Sequence, residues 1–251
     1  MVKSGLVSVT FRKLKPREVV DLVAKAKLAG IEWGGDIHVP HGDKARAREV
    51  AKMTKEAGLK VAAYGSYYYA GQGGSPSFEE VLDSALELGA PLIRIWAGKK
   101  SPAEADAADR KKVVDDSIRI ADMAAERKIA LAFEFHNNTL TETTESAVQL
   151  LKEIGSGNVR TYWQPHSKDA LAGNLRSLDT VLPWLAHVHC YQWDAATNVR
   201  LALEQGESEW KQYLARIRKA AGDRYVMIEF VKDDSPEAFL RDAATLRKWL
   251  G

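Results

Sequence analysis

The sequence predicts a single (β/α)8 barrel, and three observations support that fold class. The chain has 251 residues, a length that suits one α/β barrel and can bury a large core. Short β-rich runs alternate eight times with stretches whose apolar residues recur three and four apart. Each strand begins roughly 25 to 40 residues after the previous one, which is typical of parallel βαβ crossovers.

The strands are expected where β-branched and aromatic residues cluster. They are predicted at residues 6–10, 31–36, 60–66, 92–96, 129–135, 159–164, 186–192 and 225–231. The helices between them are predicted at 16–28, 44–57, 78–88, 107–127, 143–154, 175–182, 209–221 and 236–250. Pro16 suits a first helical turn, where its missing N–H is not needed, and Gly30, Gly58 and Gly89 follow the first three helices as stop signals.

An open, doubly wound sheet is the alternative arrangement of such repeats. The first strand and helix are not joined by the GxGxxG turn typical of that fold, and eight similar repeats favour closure. No linker or low-complexity segment divides the sequence. Residues 1–251 are therefore predicted to form one TIM-barrel catalytic domain.

The charge balance points to a small-molecule partner. Lys and Arg number 36 against 34 Asp and Glu, a formal net charge of +2, which provides no broad field for nucleic acid or a membrane surface. No apolar run approaches the roughly 20 residues that a membrane helix needs. The lone Cys190 cannot form an internal disulfide, and no secretory signal is recognised, so a cytoplasmic location is expected.

Alternation along the strands separates the barrel interior from the helix-facing side. If Glu134 points inward, its apolar neighbours point to the helices, and the same holds for Glu229 and His189 in their own strands. Glu32 and Arg94 also have inward parity, so a buried pairing between them is predicted, because unpaired buried charges are costly. Trp163 has outward parity, so we interpret it as a residue that packs against the helices.

Four polar residues end the last four predicted strands one apiece. They are Glu134, Gln164, His189 and Glu229. Barrel enzymes place their chemistry at these strand ends, so the four are predicted to converge. Two carboxylates, an amide and one imidazole suit a divalent metal ion, with Mn²⁺ favoured and Mg²⁺, Co²⁺ or Zn²⁺ as alternatives.

A second group of residues at or beyond the strand ends has the character of a carbohydrate-binding surface. Aromatic faces pack against sugar C–H groups, and imidazole, amide and amino groups can hydrogen-bond hydroxyls or transfer protons. The predicted substrate-binding residues are Trp33, His38, Tyr64, Arg94, Trp96, His136, Asn138, His166 and Lys232.

These segments resemble the xylose isomerase-like TIM-barrel superfamily, in its sugar phosphate isomerase/epimerase branch. The matching segments are GIEWGGDIH at 30–38, IRIWAG at 93–98, AFEFHNNT at 132–139, YWQPH at 162–166, HVH at 187–189 and MIE at 227–229. They span nearly the whole chain. The resemblance implies a divalent-metal-dependent sugar isomerase or epimerase that acts on a ketose or related keto-sugar through an enediolate.

In that family a strand-five Glu, a strand-six Asp, a strand-seven His and a strand-eight Glu hold the metal. The resemblance carries these roles onto Glu134, His189 and Glu229, and it gives both glutamates the catalytic acid and base roles of similar ketose 3-epimerases. Gln164 stands where the family has Asp, and a neutral amide is expected to weaken ion binding and leave the ion more electrophilic. Barrels of this branch often pair, so a homodimer is a candidate assembly.

Other functional interpretations of the same residues remain open. Loss of a β-substituent would make the chain a metal-dependent lyase or dehydratase of a keto-sugar, a keto-cyclitol or a 3-oxo-glycoside. The neutral amide at Gln164 also allows a non-catalytic sugar-binding barrel. A nucleic-acid enzyme fits the near-neutral charge poorly. The sequence shows no Gly-rich phosphate loop after strands seven and eight, so an unphosphorylated sugar, cyclitol or oxidised glycoside fits at least as well as a phosphorylated sugar.

Overall fold

In the computed structural model, residues 1–74, 76–166 and 168–251 are described, and they contain a closed barrel of eight parallel strands. Each strand pairs with the next, and the last pairs with the first. The strands are β1 (Val2–Val7), β2 (Gly30–Gly34), β3 (Lys60–Tyr69), β4 (Leu92–Trp96), β5 (Ala130–Phe133), β6 (Val159–Trp163), β7 (Leu185–Cys190) and β8 (Arg224–Ile228). The predicted (β/α)8 barrel is confirmed.

The helices follow the strands in the predicted alternation. They are α1 (Pro16–Lys25), α2 (Lys44–Glu56), α3 (Phe78–Leu88), α4 (Ala107–Glu126), α5 (Thr144–Ile154), α6 (Leu171–Val181), α7 (Glu207–Ile217) and α8 (Pro236–Leu250). Ser77 caps α3 through its side chain, and Gly89 ends it in the left-handed region at φ 70°, where glycine carries no Cβ penalty. None of the helices in the described part is long and apolar enough to cross a membrane.

The main apolar core lies between the strands and the helices, whereas the barrel interior is smaller and more mixed. Ala62, Ala132 and Met227 help fill the interior. Trp163 belongs to the outer core, and its Nε1 donates to Ser177 Oγ of α6 at 3.3 Å. The outward orientation expected from strand parity is thus confirmed for Trp163.

The prediction for the first strand was wrong in position. Strand β1 covers Val2–Val7 rather than residues 6–10, and Ser8–Phe11 form a 3₁₀ turn. Two hydroxyls explain the turn: Ser8 Oγ accepts from the Gly34 N–H at 2.9 Å, and Thr10 Oγ1 accepts from the Phe230 N–H at 3.1 Å. Such side-chain bonds to backbone compete with a continuing ladder.

Other boundaries differ by a few residues. Strand β3 runs on to Tyr69, and α6 begins at Leu171 rather than at residue 175. Strands β5, β6 and β8 end just before Glu134, Gln164 and Glu229. These three side chains therefore stand at the first position beyond their strands, at the carboxyl-terminal mouth of the barrel.

Candidate metal centre

Three buried side chains meet at the carboxyl ends of neighbouring strands. Glu134 follows β5, His189 lies near the end of β7 and Glu229 follows β8. Each offers one ligand atom, and these atoms all lie within 4.8 Å of one another. Because the strands are parallel, their carboxyl ends share one edge of the barrel, and this brings the three residues together.

The Nδ1 atom of His189 is the focus of the cluster. It lies 3.5 Å from Glu134 Oε1 and 3.3 Å from Glu229 Oε2. Gln164 Oε1 lies 3.1 Å from the same nitrogen. The Gln164 amide is oriented because its Nε2 donates to the Phe135 carbonyl at 3.0 Å. Three oxygens from the other predicted ligands thus lie 3.1 to 3.5 Å from this nitrogen.

This donor set fits a divalent ion. Atoms bound at about 2.1 Å around one ion lie roughly 3 to 3.5 Å apart, which matches the separations of His189 Nδ1 from the two carboxylates. Two carboxylates offset the charge of a dication, and oxygen ligands with a single imidazole suit hard or intermediate ions. The Glu134, His189 and Glu229 side chains can hold such an ion, and Gln164 is placed to join them.

The electrostatics of His189 reflect the surrounding carboxylates. Burial alone would lower the pKa of His189, but the negative charges of Glu229, Glu134 and Glu32 outweigh it and raise the pKa well above its usual range. Without an ion, the imidazole therefore tends to hold an extra proton. An incoming cation competes with that proton for Nδ1.

Glu134 is held in place from its other oxygen. Its Oε2 accepts from the Arg94 guanidinium and, at 2.6 Å, from Trp96 Nε1. Burial opposes ionisation, but Arg94 and His189 outweigh it and hold the pKa of Glu134 well below its usual range. The carboxylate is thus a fixed anion whose Oε1 is turned towards His189.

The predicted pairing of Glu32 with Arg94 is confirmed. Arg94 Nε donates to Glu32 Oε1 at 3.0 Å, and the Tyr162 hydroxyl donates to Glu32 Oε2 at 2.7 Å. Burial would raise the pKa of Glu32, but contacts with His189 and Arg94 hold it at about 2. Arg94 lies buried between Glu32 and Glu134, so its guanidinium supports the centre, and its predicted substrate role remains a prediction.

An aromatic wall stands beside Glu134. The Trp96 ring lies 4.9 Å from Tyr67, 4.6 Å from Tyr69 and 5.0 Å from His136, measured between ring centroids. The Trp96 ring thus lies against the His136 ring beside Glu134, and the substrate role of both residues remains a prediction. Tyr69 was not among the predicted site residues, because β3 was expected to end three residues before it.

Three other predicted residues lie on the rim. Asn138 and Lys232 are exposed in the loops after β5 and β8, and His166 is exposed after β6. The Asn138 backbone N–H donates to Glu142 Oε2 at 2.5 Å, and His166 Nδ1 lies 3.4 Å from Asp169. The contacts of these residues are with their own loops, and the predicted substrate role remains a prediction for each.

The structure corrects the placement of Trp33, His38 and Tyr64. Trp33 Nε1 donates to Thr54 Oγ1 of α2 at 3.2 Å, so the ring faces the helices. Tyr64 is buried and donates its hydroxyl to the Val39 carbonyl at 2.8 Å. Trp33 follows the inward Glu32 by one residue, and alternation turns it outward.

His38 has a similar structural role. Its Nδ1 lies 2.9 Å from Ser8 Oγ and its Nε2 lies 3.1 Å from the Leu14 carbonyl. Burial lowers the pKa of this imidazole. With both ring nitrogens engaged, His38 ties the loop after β2 to the segment after β1 and is not brought to the metal centre.

A second aromatic wall was missed by the sequence reasoning. Tyr191 and Trp193 lie 5.0 Å apart between ring centroids, and Trp193 lies 6.0 Å from Phe230. Phe230 adopts φ 57° directly after Glu229, a strained conformation for a bulky side chain. The position of Phe230 directly after the predicted ligand Glu229 was the sequence signal that could have identified it as a site residue. Tyr162 was also missed, although its inward parity with Gln164 could have indicated it.

The structure is thus a closed (β/α)8 barrel with a buried cluster of Glu134, His189 and Glu229 at its carboxyl-terminal mouth, and this donor set can hold a metal ion. The chain belongs to the xylose isomerase-like TIM barrel family, whose model matches residues 20–249. The family resemblance seen in the sequence is thereby confirmed.

Named relatives include a dehydratase and an epimerase. The chain is 27% identical over 123 residues to a 3-dehydroshikimate dehydratase of Bacillus anthracis, a match that covers 46% of this chain and only 44% of that protein. The crystal structure of the probable 3-DHS dehydratase AsbF, involved in petrobactin synthesis in Bacillus anthracis, is similar with a TM-score of 0.79 and 19% identity, covering 98% of both chains. A D-psicose 3-epimerase crystallised in the presence of D-fructose is similar with a TM-score of 0.71 and 18% identity, covering 99% of this chain and 96% of that one.

Proposed function

We propose that this chain is a divalent-ion-dependent sugar isomerase or epimerase that moves a proton beside the carbonyl group of a small keto-sugar. The observation that carries the proposal is the buried convergence of Glu134, His189 and Glu229 within 4.8 Å. Clustered carboxylates at the mouth of a barrel are costly to bury unless a cation joins them. Membership of the xylose isomerase-like family supports the same reading.

The ion and its ligands have distinct tasks. Glu134, His189 and Glu229 would hold the ion, with Gln164 as a fourth ligand, and Mn²⁺ is the favoured occupant. When bound, a divalent ion supplies Lewis acidity that polarises a carbonyl or hydroxyl oxygen. A polarised carbonyl makes the neighbouring C–H group more acidic, so that a carboxylate can remove its proton.

The two glutamates are proposed as the acid and base pair, in unequal roles. Glu134 Oε2 is already engaged by Arg94 and Trp96. In the described part of the chain, His189 is the charged partner in ion-pair contact with Glu229. Glu229 is therefore the better candidate to take the proton from carbon, whereas Glu134 stays ionised and fixes the geometry at its end of the site.

The walls of the mouth support a neutral, polyhydroxylated substrate. The half-buried Tyr69, beside Trp96, and the half-buried Trp193, between Tyr191 and Phe230, offer aromatic faces that can pack against C–H groups. The rim arginines Arg12 and Arg200 are paired with Asp36 and Asp234. Because both guanidinium groups already have carboxylate partners, they favour an unphosphorylated substrate, and the exposed Lys232 is the rim cation that a phosphorylated substrate would use.

A dehydratase or other lyase is the second candidate. It is favoured by the partial sequence match to a 3-dehydroshikimate dehydratase. Elimination begins with the same proton removal. The C–O bond on the next carbon then breaks as the C=C bond forms, and the leaving oxygen takes up the proton held by the base and departs as water or an alcohol. Glu229 would again take the proton, so the same residues would serve both outcomes.

Proton NMR in deuterated water would test the proposal and separate its outcomes. The ion-loaded protein would be incubated with ketoses, aldoses, keto-cyclitols and 3-oxo-glycosides, beside Glu229→Gln and the exposed control Glu126→Gln. Deuterium entering a sugar carbon with interconversion of isomers supports an isomerase or epimerase, and release of water or an aglycone supports the lyase. Sugar binding that survives chelation, without exchange in any compound, would contradict an enzyme and favour a sugar-binding barrel.

A further inference from the structure

The two nitrogens of the His189 ring face different surroundings. Nδ1 faces the oxygens of Glu134, Gln164 and Glu229. Nε2 points the other way, where Glu32 Oε2 lies 3.6 Å from it. Nε2 is buried and has no hydrogen-bond partner among the residues that the structure describes. The Nδ1 atom of His189 thus faces three oxygens, whereas its Nε2 atom lacks a hydrogen-bond partner among the described residues.

Ion binding decides where the remaining imidazole proton must lie. A histidine that gives its Nδ1 lone pair to a cation keeps its proton on Nε2, and metal-bound histidines usually donate that proton to a carboxylate or carbonyl. A separation of 3.6 Å is longer than a hydrogen bond, but a shift of roughly half an ångström would close it. Glu32 Oε2 is the carboxylate oxygen on the Nε2 side.

Glu32 is itself held firmly. It is fully buried, with Arg94 Nε on one oxygen at 3.0 Å and the Tyr162 hydroxyl on the other at 2.7 Å. The Tyr162 ring also packs against the His189 ring, with centroids 4.8 Å apart and planes at 62°. Tyr162 thus touches both the carboxylate and the imidazole that the carboxylate faces.

We propose that Glu32 is a positioning residue that accepts the Nε2 proton of His189 and so presents Nδ1 to the ion. Tyr162 supports Glu32 in that role through its hydroxyl and steadies the imidazole through its ring. The inference rests on the proposed ion site, and it adds two supporting residues, Glu32 on β2 and Tyr162 on β6, behind the proposed ligand His189 on β7.

A purely structural role for Glu32 makes a different prediction. Glu32 could serve only to neutralise the buried Arg94, which also contacts Glu134. In that case Tyr162→Phe, which leaves the Arg94 contact in place, would not change the ligation of His189. Ion affinity and the ligand field of a bound ion separate the two roles, because both depend on how the imidazole is presented.

The experiment is calorimetric titration of the full chain with Mn²⁺ and Co²⁺, together with the visible absorption spectrum of the Co²⁺ complex. Glu32→Gln is expected to weaken ion binding by about ten- to a hundredfold, the usual effect of losing an outer partner of a metal ligand, and to shift the cobalt bands. Tyr162→Phe is expected to weaken binding by about fivefold, the effect of one lost hydrogen bond. If Glu32→Gln does not fold, Tyr162→Phe still tests the proposal.

Thr161→Val is the matched control. Thr161 is the buried neighbour of Tyr162 on β6, and its hydroxyl contacts backbone carbonyls rather than Glu32. Unchanged affinity and cobalt bands are expected for this variant. An effect as large as that of Tyr162→Phe would assign the changes to a disturbed strand and overturn the proposal.

The remaining outcomes separate this inference from the proposed function. If the unmodified chain binds Mn²⁺ and Co²⁺ but Glu32→Gln and Tyr162→Phe bind as tightly with the same spectrum, the positioning role is overturned and the proposed function stands. If the unmodified chain binds neither ion, both fail together.

Discussion

Two histidines on the same strand, His187 and His189, have opposite surroundings. Both are buried, and two-residue spacing turns both into the barrel. His187 lies between the rings of Tyr162 and Tyr225, at 5.6 and 5.4 Å between centroids, and burial lowers its pKa. His189 lies one layer higher among carboxylates, and its pKa is raised well above the usual value.

Alternation therefore decides which side chains enter the barrel, whereas the layer, meaning the side chains at the same height along the barrel axis, decides their chemistry. The layer around His189 contains three carboxylates, of Glu32, Glu134 and Glu229, and one guanidinium, of Arg94. If His189 is neutral, the described part of this layer carries two more negative charges than positive ones, and a divalent cation would balance them. The layer around His187 is aromatic and apolar and has no comparable need for an ion.

Loss of one charged ligand should weaken ion binding most. Glu229→Gln should weaken Mn²⁺ binding by more than about a hundredfold, because a direct ligand matters at least as much as its outer partners, and should abolish turnover. Glu134→Gln should act similarly. Calorimetry and circular dichroism would measure affinity and folding, with Glu126→Gln as the exposed control. Near-normal turnover in either ligand variant would remove that glutamate from the proposed site.

Acid should weaken ion binding through His189 but not through His187. The raised pKa of His189 means that the ion must displace a proton, so affinity should rise about tenfold per pH unit until that pKa is passed. Titrations in buffers with different heats of ionisation should show close to one proton released per ion. Release of no proton across neutral pH would mean that His189 is already neutral or is not a ligand.

Gln164→Asp should strengthen the site by a smaller amount. The added charge would lie 3.1 Å from His189 Nδ1 if Asp reached as far as the Gln164 amide oxygen does, although its shorter side chain limits that reach. We expect roughly tenfold tighter Mn²⁺ binding, about the gain from one favourable charge interaction of 1.4 kcal/mol. Weaker binding in a calorimetric titration would argue that Gln164 lies outside the ligand set.

His187→Phe should have the smallest effect on the ion. The ring sits among tyrosines and makes its hydrogen bonds to backbone groups, so Mn²⁺ affinity should stay within about twofold. Unfolding free energy should fall by about 1 to 2 kcal/mol, because those bonds are lost and the larger ring must be accommodated. A large loss of ion affinity with normal stability would contradict the proposal that the ion depends on the layer around His189 and not on the layer around His187.

Periodicity predicted the barrel because each repeat buries its own apolar face, a signal that is local in the chain. It misplaced β1, since the hydroxyls of Ser8 and Thr10 bind backbone groups from distant segments. Alternation predicted the Glu32–Arg94 pair. It also argued against Trp33, which was proposed for substrate on its nearness to a strand end alone.

The sequence could not show which nitrogen of His189 faces the ligands or that Tyr162 reaches Glu32. The Tyr162 contact joins residues 130 positions apart, and single-sequence patterns contain no such distances. The family is confirmed. The identity of the ion, the homodimer and the cytoplasmic location stay predictions.

Anomalous X-ray diffraction from crystals of the chain grown with Mn²⁺ would locate the ion directly. We expect one strong anomalous peak at about 2.1 to 2.3 Å from His189 Nδ1 and from a carboxylate oxygen of both Glu134 and Glu229. No peak there at saturating Mn²⁺, or a peak on the Nε2 side of His189, would contradict the proposed ion site.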